Sequence, residues 1–297
     1  MLTGILAGLA AGALWGLVFV APRMVPGYTS VDFTAGRYAV YGTVAAIVML
    51  AGLRTRRLPT WRQAGAALAM SLLGFTAYYL LLVFAIRDAG TEAPTLIIGT
   101  IPIWVMLLGK PQHLRWAALV PGLALTFAGL ALMMGSPHGG PQAPAPPAYW
   151  RGIAWAVLAM GCWTAFAIWN SSWLKRHPEV NATDWANWLG VATGLGALLL
   201  WFAAGSEPEV LAAQEQRTLF AILCIATGFG SAWLATILWN IASQRLPASL
   251  CGQLIVSETL FALVYSFAWD GLWPTPAQAA ACVLFTLGIL ASIKAHR

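Results

Sequence analysis

Apolar segments of about 20 residues follow one another along almost the whole of this 297-residue chain. Hydrophobic residues make up 60% of the sequence and charged residues only 9%, whereas soluble domains are about 25% charged. So few charges cannot cover one or two water-soluble domains, and the apolar surface must therefore face a lipid bilayer. The net charge of +6 does not indicate nucleic-acid binding, because the basic residues lie in short clusters between the apolar segments.

Ten segments come close to the length of about 20 apolar residues that a membrane-spanning helix needs. Backbone polar groups cannot stay unpaired in lipid, so an all-α integral membrane fold is expected. The first segment lacks the basic start of a cleaved signal peptide and is interpreted as a span. We expect a multi-pass protein of the cell (inner) membrane, with spans at 3–22, 31–53, 64–86, 92–109, 115–135, 150–174, 183–204, 217–242, 248–268 and 276–294.

The basic residues between the spans predict the topology. With the N-terminus inside, eleven of them fall in cytoplasmic loops and four in external loops, which is the bias that the positive-inside rule describes. Both termini are therefore expected to be cytoplasmic. The cytoplasmic set is Arg54, Arg56, Arg57, Arg62, Lys110, Arg115, Lys175, Arg176, Arg245, Lys294 and Arg297, and the external set is Arg23, Arg87, Arg151 and Arg217.

A segment rich in proline and glycine, SPHGGPQAPAPPA (136–148), separates the fifth and sixth spans and cannot continue a helix. It predicts a first five-helix repeat at 1–135, an external linker at 136–149 and a second five-helix repeat at 150–297. The two halves also align weakly: Gly4, Ile5, Ala11 and Trp15 match Gly152, Ile153, Ala159 and Trp163, while Asp32, Ala85 and Ile98 match Asp184, Ala242 and Ile255.

An odd number of spans in each repeat has a geometric consequence. If the first half begins inside, the second begins outside, and the two halves are inverted copies related by an axis in the membrane plane. Inverted repeats allow one site to face either side of the membrane in turn. This arrangement predicts a secondary transporter that works by alternating access around a midplane cavity, lined by spans one, three, four, six, eight and nine.

Several short motifs support this interpretation: Leu14-Trp15-Gly16, the hairpins AIRDAGTEAPTLII (85–98) and ASQRLPASLCGQL (242–254), Glu258, and Trp239-Asn240. Over residues 4–294 the chain resembles the EamA-type branch of the drug/metabolite transporter superfamily. Thr259 departs from that family, which usually has proline after the glutamate. The resemblance implies export of small metabolites, most of all aromatic or other neutral amino acids, and no enzymatic activity.

Glu258 and Arg37 lie well inside predicted spans, away from the span ends, where charge is costly unless it has a function or a partner. Glu258 lies about 15 Å deep in span nine by helical rise. It is either a proton site or partner of a substrate amine, or a hydrogen-bonded acid that joins helices. Arg37, in span two, either faces a substrate carboxylate or Glu258, or it pairs with Asp32 or extends to the interface.

Polar residues on spans eight and nine follow helical spacing and are expected to line one water-filled path. Small polar residues of this kind also join helices in membranes. Trp61, Trp116, Trp150, Trp185, Trp188 and Trp273 lie near span ends and are expected as interfacial anchors. The candidate substrate-binding residues are Trp15, Tyr78, Tyr79, Trp163, Asn170, Trp239, Asn240, Gln244, Gln253 and Ser257.

No catalytic constellation, cofactor motif or metal-type spacing of the four cysteines is found in the sequence. The expected partners are the bilayer and a neutral or zwitterionic small molecule. An exporter of hydrophobic drugs or other neutral metabolites is the nearest alternative, and a membrane scaffold or embedded enzyme is a further one. The oligomeric state stays open, with a monomer possible, because a glycine face such as Gly4, Gly8 and Gly12 packs helices either within or between molecules.

Overall fold

The computed structural model describes residues 1–52, 58–89, 92–112, 114–134, 146–271 and 273–296, and within these ranges the secondary structure is helical without any strand. The expected all-α membrane class is confirmed. Ala93–Leu108 and Trp116–Leu132 are shorter apolar helices, at the places of predicted spans four and five. Eight other segments are long and apolar enough to cross a membrane: Leu2–Met24, Ser30–Ala51, Trp61–Ala89, Ala148–Arg176, Ala182–Ala204, Arg217–Arg245, Ala248–Trp269 and Pro276–Ala295.

Fourteen α-helices lie in the described ranges, and several predicted spans contain two of them in sequence. They are α1 (Leu2–Gly16), α2 (Ser30–Ala51), α3 (Trp61–Ser71), α4 (Ala77–Ala89), α5 (Glu92–Gly99), α6 (Ile101–Leu108), α7 (Trp116–Met134), α8 (Pro146–Arg176), α9 (Ala182–Ala204), α10 (Pro208–Ala213), α11 (Arg217–Thr227), α12 (Ala235–Arg245), α13 (Ala248–Asp270) and α14 (Pro276–Ala295).

The predicted linker at 136–149 lies partly outside the described residues, which resume at residue 146. Its last four residues begin α8, so the helix of the sixth span starts earlier than the predicted residue 150. Proline is tolerated in the first turn of a helix, because the first backbone N–H groups have no partner inside the helix. The division into two repeats at this linker stays a prediction.

Helices α2 and α9 begin with the same local chemistry. The Thr29 side chain accepts a hydrogen bond from the backbone of Asp32, and Asn181 accepts one from the backbone of Asp184. Each polar side chain satisfies an N–H group that would otherwise lack a partner in the first helical turn. The two caps are separated by the same offset as the matched pair Asp32 and Asp184.

Spans three and eight are both interrupted by a π-helical turn. The turn Leu72–Thr76 separates α3 from α4, and Gly228–Leu234 separates α11 from α12. In each case the turn follows a helix of 11 residues. Such turns are rare and frequently occur at functional sites, and here they occur at corresponding places of the two halves.

The packing of the helices has the same correspondence. Second-span helices α2 and α9 pack together, and so do fifth-span helices α7 and α14 and fourth-span helices α6 and α13. The first and third spans pack crosswise, since α4 contacts α8 and α1 contacts α12. For each extended contact between a helix of the first half and a helix of the second, there is thus a second contact between the helices that hold the same places in the opposite halves.

Glycines allow the closest of these contacts. A Cβ atom placed on Gly42 of α2 would lie 2.5 Å from the Cα atom of Gly194 in α9. On α1, Gly4, Gly8 and Gly12 face Leu246, Leu254 and Ser257 of the same chain. The glycine face of α1 therefore packs against helices of the same chain rather than against a second molecule.

Candidate functional site

Three tryptophans from three different spans meet near the middle of the helix bundle. Their ring centroids are 6.5 Å apart for Trp15 and Trp163, 5.4 Å for Trp15 and Trp239, and 6.3 Å for Trp163 and Trp239. Tilted and edge-to-face arrangements at these distances are favourable. Trp239 is 1% exposed, whereas Trp15 and Trp163 are half-buried. We call these three residues the tryptophan triad.

The aromatic surface extends from the triad toward α2. The ring of Trp163 lies 6.1 Å from that of Phe166, which lies 5.5 Å from Phe75. Phe75 belongs to the π-helical turn of span three and contacts the rings of Tyr38 and Tyr41. The aromatic surface thus joins spans one, two, three, six and eight. Phe75 and Phe166 were not predicted from the sequence as part of the site, although Phe166 shares the helix face of Trp163 and Asn170.

Arg37 lies at the α2 end of this aromatic surface, and within the described part of the chain it forms no ion pair within 4.0 Å. Its guanidinium carbon lies 4.9 Å from the centroid of the Tyr38 ring, and Nη2 donates to the Tyr38 hydroxyl at 3.5 Å. Its buried Nε has no acceptor within hydrogen-bonding distance in the described part of the chain. The alternative pairing with Asp32 is wrong, because that carboxylate accepts from Thr29 and Ser206 instead.

Glu258 lies on α13 where that helix passes Gly12 of α1, and its side chain is half-buried. It interacts electrostatically with Arg37 of α2 and with Tyr78 of α4. Among the described residues, neither Glu258 nor Arg37 forms an ion pair within 4.0 Å. One acidic and one basic group therefore face the same region without neutralising each other through direct contact.

The two adjacent tyrosines of span three point to different places. Tyr78 packs with the tryptophan triad in one hydrophobic cluster. Tyr79 packs in a separate cluster with Val31 and Leu200, and its hydroxyl donates to the Ser30 carbonyl at 2.7 Å. Successive helical residues point about 100° apart, so only Tyr78 adjoins the triad.

The predicted amides of spans six and eight bond to neighbouring helices. Asn170 donates to Asn240 at 3.2 Å and accepts from the indole of Trp185 at 2.6 Å. Asn240 donates to the Ala182 carbonyl at 3.3 Å, and Gln244 donates to the Val180 carbonyl at 3.0 Å. Asn170 and Asn240 are both 0% exposed.

The polar residues of span nine face other helices. Gln253 donates to Thr126 of α7 and accepts from Ser292 of α14, both at 3.0 Å. Ser257 donates to the Leu254 carbonyl of its own helix at 2.7 Å. The expectation that spans eight and nine line one shared path is wrong, because their polar faces contact different neighbours. Substrate contact by these side chains stays a prediction.

The predicted interfacial anchors divide into two groups. Trp185 is 0% exposed and Trp188 is 5% exposed, so both belong to the core and their assignment as anchors is wrong. The α9 helix begins close to α8, and Trp185 stacks on Trp173 with centroids 3.7 Å apart. The remaining anchors are highly exposed, which is consistent with the interface: Trp61, Trp116, Trp150 and Trp273.

Two surface cavities lie away from the triad. One of about 300 Å³ is lined by side chains near the end of α8 and the start of α3, including Thr60, Gln63 and Glu179. One of about 170 Å³ lies between α2 and α4, beside Tyr79. Neither cavity is lined by a residue of the tryptophan triad, by Arg37 or by Glu258.

Comparison with known proteins identifies the relatives of this chain. Residues 2–135 match the model of the EamA-like transporter family. The inner membrane protein YtfF of Escherichia coli (strain K12) is 30% identical over 310 residues, which cover 99% of this chain and 96% of that protein. A protein crystal structure has the same fold, with a TM-score of 0.80 and 20% identity, and the similarity covers 99% of this chain and 97% of the other.

These comparisons confirm the expected location and general role. The helices are apolar and multiple, and the full-length relative is an inner membrane protein, so the chain is a multi-pass inner membrane protein. Because residues 2–135 match a family of transporters, the chain has a role in membrane transport. Since the relative matches from one end of the chain to the other at 30% identity, the chain belongs to the EamA-like transporter family.

Proposed function

We propose that this transporter exports small zwitterionic metabolites, with aromatic and other neutral amino acids preferred. The observation that carries the proposal is the tryptophan triad beside one basic and one acidic side chain, Arg37 and Glu258, which form no ion pair with each other. Burying unpaired charges in a membrane is costly. A substrate that brings one charge of each sign offsets that cost for both residues at once.

The substrate is proposed to bind with each of its groups in a distinct place. An apolar or aromatic side chain packs on the partly exposed faces of Trp15 and Trp163, because stacking and area burial favour flat apolar groups there. The ammonium group faces Glu258 and the carboxylate faces Arg37. Tyr78, which interacts electrostatically with both charged residues, lies where it can donate to the carboxylate.

We also propose that the chain has ten spans in two inverted repeats, with both termini in the cytoplasm and transport by alternating access. The matched π-helical turns, the exchanged helix contacts and the Gly42–Gly194 contact support this arrangement. The short helices α5, α6 and α7 are proposed to complete spans four and five. A pseudo-two-fold axis in the membrane plane then passes close to Gly42 and Gly194.

The nearest alternative is an exporter of hydrophobic drugs or other neutral metabolites. The aromatic surface from Trp15 to Phe75 favours it, since this surface offers area burial without requiring a charged substrate. That alternative assigns no role in binding to Arg37 or Glu258. The two proposals are therefore separated by the response of transport to the removal of each charge.

Removing either charge is expected to weaken transport of phenylalanine about tenfold, because a hydrogen bond to a charged group contributes roughly 1.5–3 kcal/mol. We expect Glu258→Gln to impair uptake of phenylalanine and phenethylamine but to spare 3-phenylpropionate. Arg37→Gln should impair phenylalanine and 3-phenylpropionate but spare phenethylamine. Uptake of each labelled compound into liposomes that contain the purified protein measures these effects, with and without a pH gradient.

Glu209→Gln is the matched control, because Glu209 is an exposed acid outside the membrane spans, and it should transport all three compounds like the wild type. Equal sensitivity of all three compounds to both substitutions would contradict the assignment of the two substrate charges. Saturable flux of apolar drugs without flux of amino acids would favour the alternative. Absence of any flux from folded protein would favour a scaffold or an embedded enzyme.

A further inference from the structure

We propose that the buried amides of the second half form a latch that holds one end of the bundle closed, and that the first half has no equivalent. The latch consists of Asn170, Ser171, Trp185, Asn240 and Gln244. The inference rests on the proposed alternating access, because only a site that changes sides needs an end that closes and opens. It assigns to the predicted substrate ligands Asn170, Asn240 and Gln244 a conformational role.

The latch joins three helix ends through four buried side chains and the half-buried Gln244. Asn170 of α8 bonds Trp185 of α9 and Asn240 of α12, and Asn240 continues the chain of bonds to the Ala182 carbonyl. Ser171 donates to the Ser243 carbonyl at 3.3 Å. Gln244, in the last turn of α12, donates to the Val180 carbonyl just before α9. The end of α8, the start of α9 and the end of α12 are thus held together.

Other contacts close the same end of the bundle, which the basic loops predict to be cytoplasmic. The backbone N–H of Ser249 at the start of α13 donates to the Gly109 carbonyl at 3.2 Å. Gly4 near the start of α1 packs against Leu246 just after α12. The cavity of about 300 Å³ at this end is lined by no residue of the tryptophan triad, so we expect a substrate at the triad to reach the cytoplasm only if the joined helix ends move apart.

Among the described residues of the first half, we find no hydrogen bonds that correspond to those of Asn170 and Asn240. The helices that correspond to α8 and α12 are α1 and α4, and these two are not in extended contact, whereas α8 and α12 are. The helices α2 and α4 are joined by the bond from Tyr79 to Ser30. The structure thus represents a conformation that is closed at the latch and in which α1 and α4 are not in extended contact.

The sequence of the first half does not allow the bonds that Asn170, Trp185 and Asn240 form. With the offsets of the matched pairs Trp15 and Trp163, Asp32 and Asp184, and Ala85 and Ala242, these three residues correspond to apolar positions, while Ser171 and Gln244 correspond to Arg23 and Arg87. Asn170 corresponds to Pro22, Trp185 to Phe33 and Asn240 to Val83. Proline, phenylalanine and valine side chains cannot donate or accept these hydrogen bonds.

Two inverted repeats with equal closures would populate both end states alike. A latch in one half alone biases the equilibrium toward the state closed at the cytoplasmic end. A buried hydrogen bond between membrane helices shifts such an equilibrium by roughly threefold. Removal of one latch bond should therefore raise the ratio of latch-open to latch-closed molecules roughly threefold, and removal of two roughly sevenfold.

The test is a distance measurement by double electron–electron resonance on the full chain in liposomes, without substrate. Spin labels are placed at Arg176 and Arg245, which are exposed at the ends of α8 and α12, in a variant with the four native cysteines replaced by alanine. Trp185→Phe removes one latch bond and keeps the ring stacked on Trp173. Asn240→Val removes two bonds and introduces the residue found in the first half.

Thr126→Val is the matched control, because it removes one buried bond between α7 and α13, to Gln253, away from the latch. The latch predicts a growing long-distance population in Trp185→Phe and Asn240→Val, with Thr126→Val like the wild type. Unchanged distances in both latch variants, or an equal shift in the control, would overturn it. The distance measurement does not depend on transport. If the liposomes took up no phenylalanine but the distances shifted as expected, the proposed substrate would be wrong and the latch would still be supported.

Discussion

Replacing Trp163 with alanine is expected to lower the flux of phenylalanine about a hundredfold. Trp163 alone links the other two triad rings to Phe166 and the aromatic surface of span three. A substrate ring that stacks on Trp163 gains about 0.5–1.5 kcal/mol beyond the burial of area, and burial of an aromatic side chain contributes about 1.5–3 kcal/mol. The loss of both contributions amounts to about 3 kcal/mol, which is about two orders of magnitude in rate.

Initial rates of uptake into liposomes measure this effect, normalised to the amount of folded protein. Trp163→Phe keeps an aromatic ring and should retain most of the flux. Trp150→Ala is the control on the same helix, since Trp150 is 69% exposed and lies in the first turns of α8, away from the triad. If Trp163→Ala folds and transports phenylalanine like the wild type, the triad is a packing cluster and binds no substrate.

Replacing Gly42 with alanine is expected to destabilise the folded protein by about 3 kcal/mol, at the upper end of overpacking effects. The added Cβ would lie 2.5 Å from the Gly194 Cα atom and 3.1 Å from its backbone nitrogen. Neither contact can be relieved by rotation of a side chain, because both atoms belong to the backbone. The helices α2 and α9 would have to separate along their whole interface.

The midpoint of denaturation in detergent, followed by helical circular dichroism, measures the stability. Gly161→Ala is the matched control, because a Cβ on Gly161 of α8 has nothing within 4 Å, and it should unfold like the wild type or slightly later. Equal midpoints for the two variants would mean that α2 and α9 do not cross at this contact.

The positions of the helices could be predicted from the sequence more completely than the contacts that the helices make with one another. A run of about 20 apolar residues determines a membrane helix whatever it packs against, because the backbone must bond internally. The start of α8 at Pro146 was missed because a proline-rich segment predicts a loop, although proline fits the first turn. Trp185 was misassigned for a different reason: closeness to a helix end does not reveal whether that end meets lipid or another helix.

The candidate site could be predicted only in part. Trp15 and Trp163 were both predicted as substrate-binding residues from matched positions, and their rings are in contact. Helical spacing correctly placed Asn240 and Gln244 on one face, but periodicity does not specify which neighbour that face contacts. The bonds of Asn170 to Trp185 and Asn240 depend on the packing of three helices, and this information is absent from the spacing within any one of them.

The π-helical turns of spans three and eight bear on the evolutionary history of the chain. A π-helical turn arises when one residue is inserted into an α-helix that keeps its flanking contacts. Both turns follow an 11-residue helix, so two independent insertions would have had to occur at the same helical position. A single insertion in an ancestral five-helix protein, before its gene was duplicated, accounts for both. On the proposed repeat, the interruption is therefore older than the protein with two halves.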